Sequence, residues 1–243
     1  MEPKKTNFKF SLSKKQLLIV CLTFLLHLSG ILVAFFETKD GFPFNFPFHL
    51  LRFFTWWSVH SSILAILALI IIIWKKEISS WLSQFIILLS VIFNLTTFLF
   101  CLFHLAFGAL KWKASILLNL QSILWHFVAP LLIIYCFYSF ARIDLLKKKL
   151  IRSILCSYIY PFLYFLYVYI LSFFHPGTGS ESKLVLYLKK YPYLLFQFLA
   201  KNKKMLFLVW LPISFLIILL LFVLIIWTKS VYDKKKLITV FVL

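Results

Sequence analysis

The chain has 243 residues, 63% hydrophobic and 14% charged, with a mean hydropathy of +0.98. Its apolar runs exceed the roughly 18 residues that mark a transmembrane helix, which excludes a water-soluble globular domain. The 26 Lys+Arg against 7 Asp+Glu, a net charge of +19, lie between and beyond those runs instead of on one soluble face; this fits an anionic membrane surface and argues against nucleic acid as a partner.

Six segments have spanning length: 16–36, 50–74, 84–107, 115–140, 151–174 and 205–227. Each is predicted to be a tilted helix, because hydrocarbon offers the backbone no other way to satisfy its polar groups. The expected architecture is an all-α polytopic bundle, a single six-helix domain over residues 1–243, multi-pass in a cell membrane. The first run is longer than a signal-peptide core and no small-x-small site follows near Phe36, so it is expected to remain as the first helix. On one side of the membrane the loops and tails carry 16 of the 26 Lys+Arg, and the positive-inside rule therefore predicts both termini in the cytoplasm.

Polar residues along these spans recur at helical spacing. The first span carries Thr23, His27 and Gly30. In the second, Thr55, Ser58 and Ser62 fall at i, i+3 and i+7; in the third, Asn94, Thr97, Cys101 and His104 repeat that step. The fourth holds Asn119, Ser122 and His126 in a stretch, Ile116 to Phe140, without a single Asp, Glu, Lys or Arg. Four residues after His126 comes Pro130, which has no N–H to offer the His126 carbonyl and is expected to kink the helix there; Pro161 should do the same in the fifth span. Between the fifth and sixth spans, His175 to Ser182 is turn chemistry, and Lys183 to Lys204 mixes Lys with Leu, Tyr and Phe. Residues 175–204 are therefore expected to form a long extracytoplasmic, partly interfacial loop.

Cys21, Cys101, Cys136 and Cys156 fall in apolar runs with no metal-ligating spacing. They read as reduced small core residues, and neither a metal nor another cofactor is expected. Trp56, Trp57, Trp74, Trp81 and Trp112 are expected to mark the interfacial belts, whereas Trp125 lies deep, next to His126.

Polar side chains in lipid turn inward, so the stripes are expected to meet in a polar pocket lined by His27, Ser58, Ser62, Asn94, Thr97, His104, Asn119, Ser122 and His126. Ser, Thr and Asn at such spacings also serve as helix-packing glue. The spans contain no carboxylate, which removes paired-carboxylate catalysis, but they hold four histidines, His27, His60, His104 and His126. A neutral buried imidazole can take the proton of a Ser or Thr hydroxyl and make it a nucleophile. Counted from the flanking cations, Thr55 and His126 differ in depth by about 6 Å, which helix tilt absorbs; depth also allows Thr55 with His104, and Ser62 with His27 or His126.

Four strings resemble the six-helix bacterial membrane proteins related to the androgen-induced intramembrane threonine hydrolases: Phe53-Phe54-Thr55 with Ser58, Leu124 to Pro130 around Trp125-His126, Tyr160-Pro161-Phe162-Leu163-Tyr164, and Tyr191-Pro192-Tyr193. They stand in the family's order and cover residues 53 to 193. The resemblance implies hydrolysis of lipid esters, with membrane lipids as substrate, Thr55 as nucleophile and His126 as general base through an acyl-threonine. Asn119, Ser58 or Asn94 would then stabilise the oxyanion. The chain departs from the pattern at Val59, where an Asn is common, and at Cys136, where an Asp is common, and the bacterial branch can share the scaffold without the reaction. Two other function classes remain: a non-catalytic transporter or small-ligand-binding protein that uses the same stripes, and a structural membrane component.

Overall fold

A computed structural model describes residues 12–36, 57–74, 80–106, 116–171 and 211–242, nearly all of them helical and, among the described residues, without a strand. The helices are α1 (Lys14–Phe36), α2 (Trp57–Trp74), α3 (Trp81–Ala106), α4 (Ile116–Ile123), a π-helical turn (Leu124–Val128), α5 (Ala129–Phe140), α6 (Ile143–Lys148), α7 (Leu150–Leu171) and α8 (Leu211–Val242). Six of the resulting rods are long and apolar enough to cross a membrane, with α4, the π turn and α5 together forming the fourth. The loop 175–204 and residues 50–56, including Thr55, lie outside the described residues.

Helix starts follow local chemistry. Ser13 and Gln16 exchange side-chain to backbone hydrogen bonds ahead of α1, at 3.2 and 3.0 Å, a reciprocal cap that satisfies two otherwise orphaned N–H groups. Ser80 accepts from the Ser83 N–H at 3.1 Å and so opens α3 at Trp81, earlier than the apolar run alone suggests. The short α6 carries Asp144 in its first turn and Lys147 and Lys148 in its last, matched to the helix dipole.

The second and third spans supply the centre of the core. Ala65, Ala68, Leu69 and Ile72 of α2 and Ile87, Leu88, Val91 and Ile92 of α3 are fully buried, and Ile133, Phe137 and Phe222 complete the layer. Small alanines let the α2 and α3 backbones approach closely, the usual means of joining helices where lipid tails are as apolar as leucine. Outward faces stay apolar: Leu18, Leu25, Phe36, Ile151 and Trp227 are exposed, as a lipid-facing surface requires.

Three features depart from the sequence reading. Trp57 is buried, with its indole N–H directed at the Phe93 carbonyl at 3.4 Å, and does not mark an interfacial belt. Of the four free cysteines only Cys136 is buried, while Cys21 is exposed. The last helix continues well past residue 227, and Lys229, counted among the flanking charges, is 3% exposed. It lies on the stripe formed by Ile218, Phe222 and Ile225, donates to the Tyr138 carbonyl at 3.0 Å and pairs with Asp233 at 2.5 Å. Nearby, Tyr138 and Thr228 share a hydrogen bond between their hydroxyls.

Candidate functional site

Pro130 shapes the site. Lacking an N–H, it cannot bond the His126 carbonyl, and its ring would crowd that oxygen in a regular α-helix. The chain widens by one residue ahead of it: Leu124–Val128 is a single π turn, closed by a bond from the Ala129 N–H to the Leu124 carbonyl. Single-turn π elements re-aim side chains and recur at functional sites. The turn carries Trp125, His126 and Phe127, and the rings of Trp125 and His126 stack at 4.8 Å between centroids and 25° between planes.

Trp125 is held from two sides. Its indole N–H donates to Ser62 Oγ at 2.7 Å, and Ser62 Oγ lies 3.0 Å from His27 Nδ1. On the α1 side the indole lies over Gly30, where a Cβ would collide with its five-membered ring. Ala34 and Val59 close the apolar side of the same cluster. Trp125, Ser62 and His27 are all nine-tenths or more buried, whereas His126 is half-buried. His126 is thus an ionisable ring at the margin of the cluster, carried on a buried and hydrogen-bonded tryptophan.

The other stripes separate from this cluster. Asn94 uses its side-chain N–H groups on the Ser61 carbonyl at 3.1 Å and the Ser90 carbonyl at 2.8 Å. Thr97 donates to Ser61 Oγ at 3.1 Å and also to the Phe93 carbonyl at 3.0 Å. These bonds join α3 to α2 through Ser61, one residue round the helix from Ser62, and commit both amide protons of Asn94, which leaves it no donor for an oxyanion. Ser58 is different: it is buried on the Ser62 stripe, and its hydroxyl has no hydrogen-bond partner among the described residues. Asn119 and Ser122 lie half-buried on α4. His104 belongs to α3, but its side chain lies outside the described residues, as Thr55 does.

His60 and Tyr160 were two separate signals in the sequence, and the structure joins them. The Tyr160 hydroxyl and His60 Nδ1 form a hydrogen bond, while Tyr160 packs against Trp57 and Phe93. The residue before Pro161 thereby ties α7 to α2. A second tie was not foreseen: Gln84, fully buried, accepts the Arg142 N–H at 2.7 Å and anchors the start of α6. Cys136 is buried, and Thr23, also buried, donates its hydroxyl to the Ile19 carbonyl at 2.7 Å. Among the described residues no group of His, Cys, Asp and Glu could hold a metal ion.

No family model, curated protein or solved structure matches the chain. What the fold defines is the class: an integral membrane protein built as a bundle of six spanning helices.

Proposed function

We propose that this membrane protein is an intramembrane hydrolase of lipid esters, with Thr55 as nucleophile and His126 as general base. The observation that supports this reading most is the π turn, which Pro130 imposes and which gives His126 a rigid aromatic platform in Trp125. Catalysis depends on a base fixed in orientation, and buried support for the ring beside it supplies that. In the proposed reaction the Thr55 hydroxyl attacks the ester carbonyl while His126 takes its proton. The tetrahedral oxyanion collapses with loss of the alcohol, which recovers the proton from His126, and water then releases the acid from the acyl-threonine by the same steps. The Ser58 hydroxyl is the candidate donor to the oxyanion, since it has no hydrogen-bond partner among the described residues.

A second reading rests on Ser62. It stands within hydrogen-bonding reach of an imidazole, as a nucleophile must, but its oxygen also receives the Trp125 N–H and is almost wholly buried. Such an arrangement suits a scaffold for a bound polar ligand without any reaction. Reaction of the purified protein with a fluorophosphonate probe separates the two. Hydrolysis predicts labelling that disappears in both Thr55→Ala and His126→Ala and persists in Ser62→Ala; labelling unchanged by the first two substitutions would overturn it.

A further inference from the structure

The end of the bundle at which α3 and α7 begin is strongly cationic. Gln84 of α3 accepts the Arg142 N–H at 2.7 Å, and the Trp81 indole N–H donates to Ser153 Oγ at 2.9 Å, so α6 and the first turn of α7 are both fixed to the head of α3. α6 buries Ile143 and Leu146 in the core and leaves Arg142, Lys147 and Lys148 exposed. Residues 142–152 hold five Lys and Arg against a single carboxylate, Asp144.

Trp81 gathers two of these charges. Its ring is fixed by the bond to Ser153 and by Phe85, which stacks with it at 5.1 Å and 8°. Over that ring stand the Arg152 guanidinium, 4.5 Å from the centroid, and the Lys149 ammonium, 5.7 Å from it. The bond from the Ser153 N–H to the Lys149 carbonyl, 2.9 Å, carries helical geometry back to Lys149, so the two cations share one face of the helix. Cation–π attraction favours each contact singly, but two like charges on one ring repel. Lys147 spends its ammonium on Ser230 Oγ at 2.7 Å, whereas among the described residues neither Lys149 nor Arg152 has an ion pair or a side-chain hydrogen bond. Both are exposed, and beside them lie Ile151 and Leu155 of α7 and Leu82 of α3, exposed by 75%, 61% and 57%. A lipid-facing apolar surface therefore begins next to a pair of cations that lack an anion.

We propose that Lys149 and Arg152, carried on Trp81, bind the phosphate of a net-anionic glycerophospholipid whose acyl chains lie along Leu82, Ile151 and Leu155. A guanidinium offers phosphate oxygens a matching fork, and the ammonium adds a point charge. Free phosphate would satisfy the cations and leave the apolar flank uncovered; a phospholipid meets both. The surplus of cations around the pair selects a net negative headgroup over a zwitterionic one. The site does not depend on any reaction at His126.

The full chain in a neutral detergent is titrated with dioleoyl phosphatidylglycerol, with dioleoyl phosphatidylcholine and with inorganic phosphate, and bound lipid is counted by native mass spectrometry. Lys149→Gln with Arg152→Gln is expected to weaken phosphatidylglycerol by about ten- to thirtyfold, since each cation beside an anionic lipid is worth about fivefold, and to leave phosphatidylcholine unchanged. Lys14→Gln with Lys15→Gln removes the same charge from α1 instead and should weaken phosphatidylglycerol less than about threefold, which separates a site from a diffuse basic face. Arg152→Lys keeps the charge, loses the fork and should cost about threefold. All four side chains are exposed, and unfolding temperatures without lipid verify that the variants are folded. Equal binding of the two lipids, equal losses from the two double variants, or a Lys149 and Arg152 double variant that binds as wild type does would overturn the site. Inorganic phosphate that displaces phosphatidylglycerol at equal concentration would overturn the phospholipid as its occupant.

Discussion

The indole of Trp125 lies directly on Gly30, whose lack of a Cβ lets the ring pack against the first span. Glycine inside a helix ordinarily costs about 1 kcal/mol relative to alanine. Here it makes room for the ring that donates to Ser62 and carries His126. Gly30→Ala is therefore expected to lower stability by about 1–3 kcal/mol despite its better helix propensity, because the Cβ displaces a packed indole. Thermal unfolding in detergent measures the loss. Combined with Trp125→Leu, the second change should cost less than it does alone, since the two residues share one contact.

Pro130→Ala restores an N–H opposite the His126 carbonyl and removes the reason for the wide turn. Stability is expected to stay level or to rise, by up to about 3 kcal/mol, the cost of an interior helical proline. Fluorophosphonate labelling should nevertheless fall, because a regular helix re-aims Trp125 and His126. A variant that unfolds later and labels as well as wild type would separate the turn from the site.

Tyr160→Phe deletes a hydroxyl and keeps the ring packed on Trp57 and Phe93. Interhelical hydrogen bonds in membrane proteins average about 0.6 kcal/mol and reach about 1.7. A loss in the upper half of that range is expected, since His60 is left without its tyrosine partner inside the bundle. Unfolding in a denaturing detergent titration reads it directly, and a change below about 0.3 kcal/mol would show that ring packing alone joins α7 to α2.

Lys229 and Asp233 allow a paired test. Removing one member of a buried ion pair costs about 3–5 kcal/mol, discounted here to about 1–3 because the Asp233 side chain is 36% exposed. Asp233→Ala is expected to fall in that discounted range. Lys229→Met with Asp233→Ala should recover most of the loss, since an apolar chain fills the same volume on the Ile218–Phe222–Ile225 stripe without a charge to satisfy. Stability of the double variant close to that of Asp233→Ala alone would mean that the bond to the Tyr138 carbonyl carries the effect.

Much of this bundle was legible because a bilayer leaves the backbone so few choices. Apolar length found all six spans; proline chemistry pointed to Pro130, but as a kink and not as the π turn that precedes it, and α7 runs on through Pro161. Depth allowed Ser62 with His27 as one of several pairings, and the structure makes that one. What spacing could not decide was which face of each helix met which neighbour. Ser61 and Ser62 differ by a single rotation step, yet one joins the Asn94 and Thr97 stripe and the other holds Trp125 and His27. Trp57 and Trp81 both stand at the head of a span. Trp57 is enclosed by aromatic neighbours, while Trp81 donates to Ser153 with Arg152 over its ring. Lys229 misled for the same reason, because a cation after an apolar run reads as the end of a span until a partner such as Asp233 and a carbonyl such as that of Tyr138 are seen beside it.

The 32 residues of α8 form a rod about 48 Å long, well beyond the ~30 Å of hydrocarbon that a bilayer offers. Its Lys229 grips the backbone of Tyr138, twelve residues along the same span from His126. A rod of that length cannot stand upright within the hydrocarbon alone, so α8 must tilt or extend past it while Lys229 keeps it bonded to the helix that holds the histidine.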